Sequence, residues 1–258
     1  NRPAEELTFG SVPPPPRNDP GSKTLLDYQH FRESIADAWT RRQVAAIKAA
    51  DPDALVTVGL IQWSVPLNIG GSGQYAAFRP DRQAPLLDFS EVHFYPLDAG
   101  AYHYQGPDAE RRNLAYLKAV VDAVASAGKP LVLAEFGWYG GGKPTLGPGW
   151  IDATESDQAR WCRRAVETTA GPAVGWLNWG LYDHPQARDV TQFSGLWTAD
   201  GHPKAWARAF TDLAAAFRAT PPRFVAPACP LPDWDACLTS ATARADARRR
   251  LIEAKPGD

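Results

Sequence analysis

The 258 residues are enough for one sizeable core and fall near the length of a single barrel domain, about 250 residues. Apolar residues at 44% and charged residues at 22% exclude wholesale disorder. A formal net charge of -2 supplies none of the basic surface that neutralises phosphates or anionic lipid, so neither nucleic acid nor a membrane is an expected partner.

Ten Trp, eight Tyr and ten Phe suit either a barrel core or a surface that covers the apolar faces of sugar rings. The chain has no Met, so Asn1 is read as the start of a processed protein or of a fragment. No apolar run approaches the roughly 20 residues of a membrane span. Cys229 and Cys237 lie close together in a Pro-rich tail; a disulfide between them would favour an oxidising compartment and a secreted protein.

In chain order, Pro13 to Pro16 and the turn residues up to Gly21 predict an extended loop. From Asp27 to Ala50 the spacing of Phe31, Ile35, Ala38, Trp39, Val44 and Ile47 predicts a helix stopped by Asp51-Pro52. Strands are predicted at Leu55 to Leu60, Leu87 to Tyr95, Pro130 to Gly137 and Val174 to Leu181, and helices at Glu110 to Ala127, Ser156 to Thr169 and Pro203 to Ala219. Such alternation implies an α/β fold with parallel strands covered by helices, either a (β/α)8 TIM barrel or a doubly wound sheet. Four units are visible where a closed barrel needs eight, so residues 1–220 read as half of one. Residues 221–258 read as a Pro-rich, then helical, C-terminal extension.

Reacting groups of such barrels stand at the C-terminal ends of strands. In Leu131-Val132-Leu133-Ala134-Glu135-Phe136-Gly137 a single carboxylate ends an apolar strand. Period-two alternation puts Leu131, Leu133 and Glu135 on one face, which aims Glu135 into the barrel mouth if the leucines line the interior. The alternative is a glutamate paired with a buried arginine. In the preceding strand His93 and Tyr95 share a face, and a Tyr hydroxyl there can hold a neighbouring carboxylate ionised; core packing is the competing role for both. Glu91 shares their parity but lies deeper, as expected of a structural ion pair. Trp179 is a candidate sugar platform, Asn178 or Asp183 are candidates to bond ring hydroxyls, and Trp63 and Trp138 are candidates for the rim. The run Gly140-Gly141-Gly142-Lys143-Pro144 lacks the spacing of a phosphate loop and reads as a flexible rim. The five His are scattered without metal-ligand spacing, and no cofactor or metal is expected.

Taken in order, Asp88 to Pro96 with His93-Phe94-Tyr95, then Glu135-Phe136-Gly137, then Gly175-Trp176-Leu177-Asn178-Trp179 resemble strands 6, 7 and 8 of the cellulase-like glycoside hydrolases of family 5, which belong to clan A of (β/α)8 barrels. The resemblance runs from about Leu25 to Phe217. It implies a retaining glycosidase acting on β-linked oligo- or polysaccharides, with Glu135 as nucleophile, Tyr95 bonded to it, His93 ordering the sugar or the acid/base, and Trp179 beneath the reacting sugar. The family's acid/base sits in an Asn-Glu-Pro motif; here Asn1-Arg2-Pro3 carries arginine at the corresponding place, and Glu5 and Glu6 match only if the alignment slips. Arginine stays protonated and cannot act as a general acid, so a carbohydrate-binding protein without catalysis, or an inactive fragment, is the alternative reading.

Overall fold

The structure, a computed structural model, describes residues 23–67, 76–97, 101–228 and 232–253. Arg2, Glu5, Glu6 and Cys229 lie outside them, and with them the acid/base assignment and the proposed disulfide. Cys162 is a buried free thiol whose pKa is pushed up to about 12 by that burial.

Helix α1 (Lys23–Ala50) ends where expected but begins four residues earlier than the periodicity suggests. Its packing face differs from the sequence reading. Phe31, Ile35 and Trp39 are 45%, 47% and 48% exposed, whereas Gln29, Glu33, Asp37 and Thr40 are buried. The reason is a polar seam with α2 (Pro80–Gln83), where Arg82 Nη2 reaches Asp37 Oδ2 at 2.5 Å and Thr40 Oγ1 donates to Gln83 Oε1 at 2.7 Å.

Strands β1 (Gly59–Ile61), β2 (Ser90–Phe94), β3 (Leu131–Phe136) and β4 (Ala173–Asn178) form one parallel sheet in that order. The first is shorter than predicted because Val56 spends its N–H on Asp88 Oδ2 and its carbonyl on Asp88 N instead of on a neighbouring strand. Helices α3 (Pro107–Ala125) and α4 (Glu155–Thr169) connect β2 to β3 and β3 to β4, and α5 (Ala205–Ala219) follows β4. Pro107 at the first helical position and Asp108 and Glu110 in the first turn suit the amino end of α3. Thr154 and Asp157 close a reciprocal capping box on α4.

One face of the sheet packs on these helices. Phe94 meets Tyr116 of α3, Phe136 meets Trp206 and Phe210 of α5, and Trp176 stacks on Phe217 at 4.8 Å. These are four consecutive units in the strand order of a (β/α)8 barrel. The other face, the barrel interior, carries Glu91, His93 and Glu135.

Short helices α6 (Trp234–Thr239) and α7 (Ala241–Arg248) lie against the same body. Trp234 Nε1 donates to Ser64 O at 3.3 Å, and Cys237 and Ile252 join the main apolar core. No helix among the described residues is long and apolar enough to cross a membrane.

Candidate active site

Glu135 reaches the inner face by a different route from the alternation read in the sequence. Leu131 pairs with Ser90 and Leu133 with Val92, all buried, but the register then slips, and Glu135 pairs with His93. Ala134 is the extra residue of this bulge, which reverses the facing of the residues after it. Leu131 and Leu133 therefore pack with the outward set, and Glu135 turns inward beside His93.

Its carboxylate is held on both oxygens. Tyr95 OH donates to Oε1 at 2.5 Å, and His93 Nδ1 lies 3.1 Å from Oε2. No arginine or lysine among the described residues reaches it, so the buried-arginine alternative is not what the geometry shows. Burial first, then the hydrogen bond to Glu135 and the charges of Glu135 and Asp189, push the Tyr95 phenol far above its usual range. The phenol thus stays protonated and remains a donor. Buried Gln62 accepts from Tyr95 N at 2.8 Å and fixes this strand end.

Glu91 lies below His93. Among the described residues it has no cation partner, in contrast to the expected ion pair, and burial raises its pKa while His93 opposes the shift. Gly59 makes room for both groups: a Cβ there would sit 3.1 Å from Glu91 Oε1 and 3.4 Å from His93 Nε2.

Above Glu135 is an open cavity of about 440 Å³, walled by Tyr95, Trp150, Trp179, Arg188, Asp189 and Thr191 among others. Trp179 is 47% exposed there. Its N–H bonds Phe136 O at 2.8 Å, and the approach of the strands is so close that a Cβ on Gly137 would lie 2.6 Å from Trp179 O.

Four sequence-based assignments need correction. Trp138 is fully buried, and its indole N–H is spent on Tyr102 O at 2.8 Å, so it backs the cavity and does not form a rim. Trp150, whose ring centroid lies 5.8 Å from that of Trp138, lines the same cavity. Asn178 donates to Gly180 O at 2.9 Å and accepts from Trp206 Nε1 at 2.8 Å, which leaves its amide to hold the fold and not ring hydroxyls. Asp183 is likewise taken, by Lys204 at 3.0 Å. Trp63 stands 37% exposed in the turn after β1 and is not part of the cavity wall.

The glycine run is also pinned. Gly140 N bonds Phe193 O at 3.0 Å, and Gly142 packs so tightly on the Phe193 ring that a Cβ would come within 2.4 Å. The residues missed by sequence reasoning, Trp150 and the stretch Arg188 to Thr191, lie in long connections with no apolar period. The one local signal was Asp189, whose side chain caps a short turn by accepting from Thr191 N at 2.8 Å. Among the described residues no group of three or more His, Cys, Asp or Glu could hold a metal ion.

The family model described as Cellulase (glycosyl hydrolase family 5) matches residues 18–184. Among solved structures, a β-galactosidase from the Antarctic haloarchaeon Halorubrum lacusprofundi is 22% identical with a TM-score of 0.54, over 79% of this chain and 28% of that one. A GH5_18 protein from Bifidobacterium longum, in complex with Manβ1-4GlcNAc, is 16% identical with a TM-score of 0.51, over 86% of this chain and 58% of that one. A β-glucuronidase from Ruminococcus gnavus is 20% identical with a TM-score of 0.51, over 74% and 36%. At these identities the likeness is one of fold, and this chain spans less than two thirds of each of those proteins. A search of curated protein sequences gives no match.

Proposed function

Because this chain belongs to the cellulase family, glycosyl hydrolase family 5, we propose that the protein hydrolyses β-linked glycosidic bonds by double displacement, with Glu135 as the nucleophile. The observation that carries this reading is the carboxylate of Glu135, hydrogen-bonded by Tyr95 and flanked by His93 at the floor of a cavity large enough for a sugar ring. The Tyr95 phenol donates to one oxygen of Glu135 and the His93 imidazole stands 3.1 Å from the other, and a carboxylate placed in this way can act as the nucleophile on an anomeric carbon. In the first step Glu135 forms a bond to that carbon as the glycosidic oxygen leaves; in the second, water displaces the carboxylate. Trp179 offers its exposed face to the sugar's apolar side.

Retention needs a second carboxylic acid about 5 to 5.5 Å from the first, to protonate the leaving oxygen and later to activate water. Net retention is the expected outcome. Proton NMR of the intact protein acting on an aryl β-glycoside should show the β-anomer forming first and mutarotating afterwards. Initial release of the α-anomer would exclude double displacement. Asn1-Arg2-Pro3 favours a second reading, a carbohydrate-binding protein without hydrolysis. Saturable oligosaccharide binding with no product in that same experiment is its signature.

A further inference from the structure

A guanidinium stands on the wall of the candidate site. Arg188 lines the cavity of Glu135 and is exposed to it, and no described residue forms an ion pair with it. Its nearest acidic neighbour in sequence, Asp189, has Oδ1 occupied by Thr191 N at 2.8 Å.

The segment that carries Arg188 is a fixed frame. Ala187 N bonds His184 O at 2.8 Å on one side of it, and Asp189 caps the following turn on the other. Gln192, 5% exposed, ties the frame from inside, donating to Ala187 O at 2.9 Å and Thr145 Oγ1 at 2.8 Å. Trp179 Nε1 reaches Thr191 Oγ1 at 3.4 Å, which sets the frame beside the exposed indole. The guanidinium is therefore carried on a wall whose backbone is held on both sides.

Glu135 and Asp189 on the same cavity repel an anion, so an acidic ligand needs a compensating cation there. A guanidinium fork matches a carboxylate in bidentate fashion. We infer that Arg188 is a specificity-determining residue that recognises an acidic glycoside, binding the carboxylate of a uronic acid residue while its ring lies against Trp179. The inference rests on the glycosidase reading of the site.

The test is calorimetry on the intact protein, wild type and Arg188→Gln, with methyl β-glucuronide, methyl β-glucoside and the 6-sulfate of the latter. Wild type should bind the glucuronide roughly fivefold or more tightly than the neutral glucoside, the scale of a charge-assisted contact open to solvent. The preference should shrink to under about twofold in Arg188→Gln and weaken as salt rises above about 0.15 M. Arg188→Lys should retain part of it. A preference for the 6-sulfate over the glucuronide overturns the uronic acid assignment. Equal binding of glucuronide and glucoside by wild type, or a preference that survives Arg188→Gln, overturns the inference while Glu135 can still be shown to react. If no glycoside binds and Glu135 does not react, the glycosidase reading itself fails, and the inference with it.

Discussion

Glu135→Gln is expected to lower kcat on an aryl β-glycoside by about 10⁴- to 10⁶-fold, the scale seen when a nucleophile or its activating partner is removed. Each tenfold is about 1.4 kcal/mol of transition-state stabilisation lost. Glutamine has the same shape and keeps an oxygen to accept from Tyr95, so the fold and the cavity should survive. What disappears is the charge that attacks carbon. Steady-state kinetics with circular dichroism as the folding control checks this. A loss below about 100-fold in a folded variant would move the nucleophile elsewhere.

The second large effect is on stability. Lys204 is 1% exposed, with Nζ bonded to Asp183 at 3.0 and 3.1 Å and to Phe193 O at 2.9 Å. Burial pushes the Asp183 carboxyl up, although Lys204 and the N–H of Gly195 oppose that shift. Removing one partner leaves the other charge buried, which costs about 3 to 5 kcal/mol. Lys204→Met should therefore destabilise the protein by about that amount in urea unfolding. The double variant Asp183→Asn with Lys204→Met should cost less than the two single changes added together, because no orphan charge remains. Strict additivity would mean that the two residues do not act as a pair. The consequence reaches the cavity, since this pair supports the segment from Asp183 to Phe193 that carries Asp189 and Thr191.

How far the site was legible depends on these same elements. The strand ending in Glu135 stood out because a lone carboxylate closes an apolar run, and His93 and Tyr95 share a face just as alternation requires. Glu135 does point inward, but not for the reason that alternation gives. A bulge at Ala134 inserts one residue, and no apolar pattern announces such an insertion. Trp138, Asn178 and Asp183 were assigned by nearness to strand ends, but each satisfies a partner distant in sequence: Tyr102, Trp206 and Lys204. The helical period of α1 was plain, yet its packing face was not, since Asp37 and Thr40 find Arg82 and Gln83 more than 40 positions away. Periodicity reports which side chains share a face. It does not report which face finds a polar match.

Catalysis by double displacement requires that the carboxylate held by Tyr95 and His93 form a bond to the sugar. That bond can be trapped by incubating the intact protein with a 2-deoxy-2-fluoro β-glycoside that carries an activated leaving group, and located by mapping the modified peptide with mass spectrometry. A single adduct on Glu135, absent in Glu135→Gln, is the expected result. An adduct on another carboxylate, or turnover of the natural glycoside with Glu135 never modified, would contradict it.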